Sequence, residues 1–195
     1  MKWAILLTSC VRPSLNRPDD NKLTYYRKSI NNWLTKTNLP IFIVESSGFT
    51  FPGFENTRLK VCSFDLQNQS STSQYEAKSI LHAMDYFKQD MEPYTHILKV
   101  TARYFIKMEK ILSVINDVDI VLQSQVNHNI KWNNSELFGF RKGLEKSILE
   151  PILVEGLMEH NIYSFAQSHS YVRLPPIPNI HMVKRGGDGL IVNPL

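Results

Sequence analysis

The sequence predicts an α/β fold, in which helices flank a central sheet of mostly parallel strands. Short, nearly continuous apolar runs recur along the chain, and such runs are typical of strands buried on both faces of a parallel sheet. Segments with apolar residues at helical spacing separate these runs, so strands and helices alternate. A chain of 195 residues is long enough for one core and short for two, which favours a single domain over residues 1–195.

The beginning of the chain predicts a strand, a helix and a second strand. Trp3 to Ser9 is the first apolar run, and it ends in small polar residues. A helical pattern follows, which Asn38-Leu39-Pro40 ends before a second strand at Ile41 to Val44. Two buried strands joined by a helix indicate a parallel βαβ unit.

The middle of the chain predicts two further strands and a well-marked helix. Arg58 to Phe64 forms a third, shorter strand, and His96 to Val100 forms the next one. Between them, Ser73-Gln-Tyr-Glu76 has the spacing of a capping box. It predicts the start of a helix whose apolar face continues until Pro93.

The last part of the chain alternates in the same way and then changes character. Pro151 either kinks a helical region or opens a second helix at its first turn. The predicted elements are a short helix at Met108 to Ile115, strands at Ile120 to Leu122 and Glu136 to Phe140, a helical region from Leu144 to about Phe165, an extended segment from Leu174, and a glycine-rich basic loop at residues 184–189.

The charge of the chain favours an anionic small molecule over nucleic acid as a partner. The 22 basic residues exceed the 18 acidic residues only mildly, and no run of five or six basic residues occurs. No segment approaches the roughly 20 apolar residues of a membrane span. Cys10 and Cys62 lie in apolar runs of neighbouring predicted strands and resemble small buried hydrophobic residues, which favours a reducing compartment and a cytoplasmic location.

Polar residues directly after the predicted strands are the first candidates for a ligand site. In an open α/β sheet, the ligand crevice lies beyond the carboxyl ends of the strands. Hydroxyl and guanidinium groups suit a diphosphate, and a carboxylate suits ribose hydroxyls or a base N–H. Each candidate is also compatible with an ordinary role in a loop or a cap. The candidates of this kind are Thr8, Ser9, Arg12, Glu45, Thr101 and Arg103.

Lys99 is the most informative single residue because it interrupts an otherwise apolar strand. Burial of an unpaired ammonium group is costly, so Lys99 needs a partner if the strand is buried. The sequence leaves an anionic ligand and a nearby carboxylate open as that partner, and an edge strand would remove the need for one.

Several segments of the chain resemble one family. Segment 96–105, HILKVTARYF, resembles the lKvTGRYf signature of small GT-A glycosyltransferases and glycosyltransferase-like proteins of bacterial surface-polysaccharide loci and of large DNA viruses that glycosylate their own capsids. TSCVRP, YxxSIxxWL, IVESSG and ELFGFRKG also resemble that family, in the expected order. Ala102 stands where the signature usually has Gly, and its methyl group is expected to narrow the approach of a ligand to the backbone.

This resemblance implies a Rossmann-like GT-A fold and the transfer of a hexose or pentose from a UDP-, GDP- or TDP-sugar to a glycan, as in polysaccharide biosynthesis. The donor would bind over residues 1–115, and Lys99 would join the donor site. The acceptor would bind over residues 116–195, near Phe138 and Gly139, under a C-terminal lid. A viral protein would act in the cytoplasm of its host. The chain is also compatible with one module of a longer multidomain enzyme.

An inverting transfer needs a base that deprotonates the acceptor hydroxyl. Glu136, which opens the ELFGF strand, is the first candidate for this base. Asp188 is the second, because a glycine-rich tail can fold over a site as a lid. Glu159 and His160 come third.

A divalent metal is left open. Most GT-A enzymes hold Mn²⁺ or Mg²⁺ on an Asp-x-Asp motif at the end of an apolar strand. The sequence has one such triplet, Asp117-Val118-Asp119, which precedes the run at Ile120 and is therefore expected at the wrong end of its strand. Lys99 and Arg103 are expected to neutralise the leaving diphosphate instead.

Two other functions stay open. One is a catalytically inactive nucleotide- or glycan-binding module on the same fold, which the lack of a well-placed Asp-x-Asp favours. The other is a nucleotidyltransferase or sugar-nucleotide synthase. It is disfavoured because Thr8 to Pro13 lacks the glycines of a phosphate loop.

Overall fold

The apolar runs of the sequence form a seven-stranded mixed sheet. A computed structural model describes residues 1–12, 21–54, 56–66, 71–113, 115–123 and 133–174. The predicted α/β class is confirmed. The strands, in the spatial order β3-β2-β1-β4-β6-β5-β7, are β1 (Trp3–Ser9), β2 (Ile41–Glu45), β3 (Leu59–Ser63), β4 (His96–Thr101), β5 (Ile120–Gln123), β6 (Leu137–Arg141) and β7 (Tyr171–Leu174).

The direction of the strands decides where polar residues gather. β1 pairs in parallel with β2 and β4, β2 with β3, and β5 with β7. Of the described strands, only β6 runs antiparallel to its neighbours, β4 and β5. The carboxyl ends of the other strands therefore meet the amino end of β6 at one edge. We call this the carboxyl edge, and the opposite one the amino edge.

Helices cover both faces of the sheet and bury its apolar side chains. The helices are α1 (Lys22–Lys36), α2 (Thr72–Tyr86), α3 (Met108–Leu112), α4 (Glu145–Val154) and α5 (Met158–Ala166). One core contains α1 and α3 with alternate residues of the strands, such as Ile5, Leu7 and Leu98. The second core contains α2, α4 and α5 with the intervening residues, such as Leu6 and Ile97. This alternation explains why the strands of the sequence are almost uniformly apolar.

The start of α2 differs from the sequence prediction. The capping box consists of Ser71 and Gln74 rather than Ser73 and Glu76. Ser71 and Gln74 are three residues apart, as Ser73 and Glu76 are, but each lies two residues earlier in the chain. The backbone of Ser71 is extended, which is the conformation of an N-cap residue. Glu76 thus lies inside the helix, and its carboxylate is available for another contact.

The helical region after residue 144 also differs. Pro151 lies inside α4 and does not open the second helix. The chain breaks instead at Gly156, whose φ of +128° favours glycine, and α5 begins two residues later at Met158. The sequence did not predict β7, in which exposed Tyr171 and Arg173 alternate with Val172 and Leu174, so that it has no apolar run.

Among the described residues, no helix combines the length and apolar character that a membrane crossing needs. Cys10 and Cys62 are both free thiols. They are not on neighbouring strands, because Cys10 follows β1, Cys62 belongs to β3, and β2 lies between these strands.

A close approach of three strands depends on Gly139 in the middle of β6. A Cβ atom at this position would lie 3.0 Å from Val121 Cβ and 3.3 Å from Leu98 Cδ1. Both neighbours are fully packed core residues with almost no solvent exposure. Because Gly139 has no side chain, Val121 of β5 and Leu98 of β4 can fill the space above β6.

We expect Gly139→Ala to destabilise the fold by about 1–3 kcal/mol, because the added methyl group overpacks this space. The free energy of unfolding, measured by urea denaturation, checks this. Where a site has room for the methyl group, Gly→Ala usually stabilises a protein by about 0.4–1 kcal/mol, because alanine lowers the conformational entropy of the unfolded chain. A more stable variant would therefore contradict the packing described for Gly139.

Candidate functional site

The carboxyl edge brings together most of the residues that the sequence singled out. Thr8 is the next-to-last residue of β1. Glu45 and Thr101 are the last residues of β2 and β4, and Glu136 directly precedes β6. Since β6 is antiparallel, its first residues lie beside the last residues of β4, with Leu137 opposite Val100. Polar residues therefore stand along this edge from Ser63 at the end of β3 to Gln123 at the end of β5, the position of a ligand crevice in an open α/β sheet.

Glu45 is a structural residue rather than a donor contact. Its side chain is fully buried, and its carboxylate accepts four hydrogen bonds at 2.6–2.8 Å, from the backbone N–H groups of Val11, Ser47 and Phe49 and from the Ser47 hydroxyl. These bonds fix the loops after β1 and β2, and they leave the carboxylate covered. The expectation that Glu45 contacts the ribose or base is corrected accordingly.

Ser9 is also directed into the protein. Its hydroxyl donates to the carbonyl of Val44 at 3.2 Å, and its own carbonyl accepts from both the N–H and the hydroxyl of Ser46. With only 6% of its surface exposed, Ser9 joins the ends of β1 and β2 and does not face a ligand.

Arg12 presents an exposed charge at the edge. Its guanidinium group donates to Asp65 Oδ1 at 2.7 Å and to the carbonyl of Ser47 at 3.3 Å. The side chains of Arg12 and Asp65 are 49% and 43% exposed. The hydrogen bond and charge of Asp65 raise the pKa of Arg12 further above its usual range. This pair ties the loop after β1 to that after β3 and remains open to an incoming ligand.

Lys99 has a carboxylate partner inside the protein. The side chain is fully buried, and its Nζ forms an ion pair with Glu76 of α2. Nζ also donates to the carbonyl of Ser135 at 2.5 Å and to the Thr101 hydroxyl at 3.4 Å. Of the partners that the sequence left open, the structure contains the carboxylate. The expected contact of Lys99 with the donor diphosphate is corrected, because its charge is already compensated beneath the edge.

Glu76 is a residue that the sequence reasoning missed. Its Oε1 accepts the hydroxyl of Thr8 at 3.1 Å in addition to the ammonium group of Lys99. The side chain is 20% exposed, so Glu76 reaches the floor of the crevice. The only sequence signal was an acidic residue one turn into a helix, and that signal equally fits a cap.

Segment 101–104 crosses the edge after β4. Ala102 is fully buried in the core, and its N–H donates to the carbonyl of Thr8 at 2.8 Å. Its methyl group points inward, so the expectation that it narrows the ligand's approach is corrected. The carbonyl of Tyr104 accepts from Ser29 and Trp33 of α1 at 2.6 and 2.9 Å, which fixes the segment to the helix.

Arg103 lies in this segment and is partly exposed. Its guanidinium group lies 5.8 Å from the ring centre of Tyr104. Burial raises the pKa of Tyr26 to about 12, and the positive charge of Arg103 acts against that shift. Arg103 thus places a cation near the loop after β1, where the Tyr26 hydroxyl donates to the Cys10 carbonyl at 3.4 Å.

Glu136 is the carboxylate at the centre of the edge. It is partly exposed, and its Oε1 accepts the hydroxyl of Tyr104 at 3.4 Å. Its backbone carbonyl accepts the N–H of Thr101 at 2.9 Å. Glu136 thus lies beside the last residue of β4, between the charged strand ends on one side and β5 on the other.

The described residues of the far part of the edge, at the end of β5 and before β6, are mostly amides. Phe138 and Gly139 are buried in β6, so their expected contact with an acceptor is corrected. The polar residues here are Gln123, Asn133 and Asn134, all at most 5% exposed. Asn133 Oδ1 accepts the Gln123 N–H at 2.8 Å, while the buried side-chain amide of Gln123 has no hydrogen-bond partner among the described residues. An unpaired buried amide costs about 1–3 kcal/mol.

The Asp-x-Asp triplet lies at the amino edge, on the side of the sheet away from Glu136. Arg141 donates to Asp119 at 2.8 Å and to Asp117 at 3.1 Å. Hydrogen bonds from Ser170 and from Arg141 lower the pKa of Asp119 to about 2. Burial lowers the pKa of the neighbouring His96, whose Nε2 donates to the carbonyl of Val118 at 3.0 Å. These carboxylates join β5, β6 and β7.

No metal site is formed by the described residues. Within residues 1–12, 21–54, 56–66, 71–113, 115–123 and 133–174, no three His, Cys, Asp or Glu side chains are grouped so that they could hold an ion. At the carboxyl edge, Asp65, Glu76 and Glu136 each engage a different partner. The third candidate base, Glu159, accepts from the Ser135 hydroxyl at 2.9 Å. Asp188 and the predicted C-terminal lid lie outside the described residues.

Sequence comparisons identify no family. No protein-family model matches the chain. No curated protein matches it in sequence either. The similarity of segment 96–105 to a glycosyltransferase signature therefore stays a prediction.

Solved structures with a similar fold include two glycosyltransferases. One, involved in the glycosylation of the major capsid of PBCV-1, has a TM-score of 0.55 at 12% identity, over 89% of this chain and 82% of that one. The second, GlyE of Streptococcus pneumoniae TIGR4, has a TM-score of 0.53 at 9% identity, over 89% of this chain and 45% of that one.

A nucleoside-diphosphate-sugar pyrophosphorylase from Vibrio cholerae RC9 is similar as well, with a TM-score of 0.51 at 6% identity over 88% of this chain and 91% of that one. At these identities the likeness shows the fold alone. The chain therefore has a glycosyltransferase-like, Rossmann-like α/β fold, which the pyrophosphorylase shares.

We expect Lys99→Met to destabilise the fold by about 3 kcal/mol, because it leaves the carboxylate of Glu76 without its partner. This value is at the lower end of the about 3–5 kcal/mol that breaking a buried ion pair costs, since Glu76 keeps some contact with water. Replacing both partners, as Lys99→Met with Glu76→Gln, should recover most of the loss because no buried charge is left unpaired. Urea denaturation of the three proteins measures this. Unchanged stability of Lys99→Met would show that the pair does not support the fold.

Proposed function

We propose that the protein is a glycosyltransferase that moves a hexose or pentose from a nucleotide-sugar donor to a glycan acceptor. The observation that supports this most is the position of Glu136. A partly exposed carboxylate lies at the middle of the carboxyl edge, with cationic side chains on one side and neutral amides on the other. Glycosyltransferases are among the solved structures that share the fold.

The proposed donor half of the edge lies over β1 to β4. Arg12 is half exposed, and Arg103 is partly exposed on the neighbouring segment. Guanidinium groups make paired hydrogen bonds to phosphate oxygens, so these two residues would bind the donor diphosphate. Thr101 is partly exposed and Thr8 is largely buried, and both would contribute at most one hydroxyl each.

In the proposed reaction, Glu136 accepts the proton of an acceptor hydroxyl. The oxygen of that hydroxyl forms a bond to the anomeric carbon of the donor sugar, while the bond from this carbon to the diphosphate oxygen breaks. The electron pair of the broken bond leaves with the nucleoside diphosphate, whose added charge Arg12 and Arg103 would stabilise. The hydroxyl of Tyr104 holds the Glu136 carboxylate in place.

The role of a divalent ion is an open part of this proposal. Mn²⁺ or Mg²⁺ would neutralise the same developing charge when bound, but the described carboxylates do not form a site for it. The proposed steps therefore use only side chains of the chain itself.

Two alternatives have specific support. Among the described residues, no three His, Cys, Asp or Glu side chains are grouped so that they could hold a metal ion, and this favours an inactive nucleotide- or glycan-binding module. The fold likeness to a pyrophosphorylase favours a nucleotidyltransferase. A module would bind nucleotide without turnover. A nucleotidyltransferase would release pyrophosphate, whereas a glycosyltransferase releases nucleoside diphosphate.

We further propose that the reaction takes place in a reducing compartment such as the cytoplasm, of a host cell if the protein is viral. The support is that Cys10 and Cys62 are free thiols on separate parts of the sheet.

We expect Glu136→Gln to lower the transfer rate by about 10²–10⁴-fold, since an amide cannot accept the acceptor proton. Nucleotide affinity should stay unchanged. Release of UDP, GDP or TDP from a panel of sugar nucleotides, with and without glycan acceptors, measures the rate. Thermal shift with the free nucleotides measures binding.

Glu92→Gln is the matched control for this experiment, because Glu92 is an exposed carboxylate just before β4, at the amino edge. Its transfer rate should be near that of the unmodified protein. Full activity of Glu136→Gln would contradict the assignment of the base. Loss of activity in Asp188→Asn instead would move the base to the tail.

A further inference from the structure

The excess positive charge of the chain is concentrated in one helix. The whole chain has 22 basic and 18 acidic residues, a formal net charge of +4. Helix α1 contains four basic and no acidic residues among its 15 residues. Because the chain has 195 residues, the other 180 carry 18 of each sign. The net charge of the chain therefore arises from α1, whose basic residues are Lys22, Arg27, Lys28 and Lys36.

These cations lie on the outer side of α1. Arg27, Lys28 and Lys36 are exposed, whereas the opposite side of the helix is buried in the core around Trp33. None of the basic side chains of α1 forms an ion pair with a described residue. The ammonium group of Lys36 lies 5.4 Å from the ring centre of Phe105, a contact that keeps its charge. The described part of the protein thus leaves the charge of this helix uncompensated.

The sequence around α1 does not cancel this charge. Residues 13–20 contain one arginine and two aspartates, so segment 13–36 has five cations and two carboxylates, a formal charge of +3. On the same face of the sheet, α3 is neutral in formal charge. Lys107 is exposed between Ile106 and Met108, which belong to the core that α1 covers. We call the outer side of α1 together with Lys107 the α1 face.

The other face of the sheet has the opposite charge. Each of its helices, α2, α4 and α5, carries one more acidic than basic residue. The two helix layers lie about 20 Å apart, since each packs about 10 Å from the sheet. This separation is about twice the Debye length of about 10 Å at 0.1 M salt, so a partner at one face is screened from exposed charges of the other. An anionic surface therefore attracts and orients the molecule by its α1 face.

A membrane surface fits the α1 face better than a nucleic-acid duplex does. The helix lies along the sheet with one side buried, so it does not stand out from the protein as a helix that enters a groove does. A bilayer surface is broad and needs only cations that face it. Clusters of about 4–8 Lys and Arg on an amphipathic helix are typical of binding to anionic lipid headgroups. Tyr25, which is 40% exposed on α1, adds an aromatic ring of the kind enriched at membrane interfaces.

We infer that the α1 face binds the surface of a membrane that contains anionic phospholipids. The contact is peripheral and electrostatic, because the apolar side of α1 is buried in the core. Each cation strengthens such binding by a factor of about five, which corresponds to about 1 kcal/mol. The inference goes beyond the proposed function and does not depend on it. Cytoplasmic leaflets carry anionic lipid, which agrees with the location proposed above.

Flotation with lipid vesicles tests the inference. Vesicles of phosphatidylcholine with about one third phosphatidylserine are compared with vesicles of phosphatidylcholine alone. We expect binding to the anionic vesicles at about 0.1 M salt and its loss at about 1 M salt, where the Debye length falls to about 3 Å. Lys28→Gln combined with Lys36→Gln should lower the partition coefficient about 25-fold, since each lysine contributes a factor of about five.

Lys88→Gln combined with Lys146→Gln is the matched control. Both lysines are exposed and line the groove between α2 and α4 on the other face, and this double variant has the same change in net charge. It should bind the anionic vesicles like the unmodified protein. Both double variants should unfold at the temperature of the unmodified protein, which separates a loss of binding from a loss of the fold.

An absence of vesicle binding, equal binding to vesicles with and without phosphatidylserine, or equal losses in the two double variants would overturn the inference. So would a preference for a DNA or RNA duplex over the vesicles that the Lys28 and Lys36 variant loses, because nucleic acid would then be the partner. Failure of the proposed function is distinguishable, since it appears as a lack of UDP and GDP binding in the thermal-shift assay.

Discussion

The ion pair of Lys99 and Glu76 determines how the parts of the carboxyl edge are held together. Lys99 belongs to β4 and Glu76 to α2, and the pair also contacts Thr8 of β1 and the Ser135 carbonyl before β6. Removing two charges from water costs several kcal/mol, and the additional hydrogen bonds offset this cost. The pair thereby fixes the charged strand ends relative to Glu136.

The fold and the polarity of the sheet were predictable because they depend on local patterns. Apolar runs and helical spacings predicted the strands of the βαβ unit and the placement of polar residues after β1, β2 and β4. The same polarity argument placed Asp117 and Asp119 at the amino end of β5, where the structure has them. The partners of buried polar residues were not predictable. Lys99 and Glu76 are far apart in the sequence, and the spacing of Glu76 fits a helix cap equally well.

Other misassignments have the same physical origin. Glu45 follows a strand, as a ligand contact would, but local N–H groups use its carboxylate completely. Gly139 and Phe138 belong to a segment similar to a known family, yet close packing of β6 against its neighbours explains the glycine.

The fold alone does not decide the activity, because a pyrophosphorylase shares it with glycosyltransferases. We propose that nucleotide binds at the carboxyl edge, over β1 to β4. Hydrogen exchange of the backbone amides, measured with and without UDP or GDP, is the most direct test of this binding site. We expect slower exchange after β1, β2 and β4, at Val11, Ser47 and Arg103, with no change around Asp117 and Arg141. Protection confined to the amino edge, or no protection with any nucleotide, would contradict it.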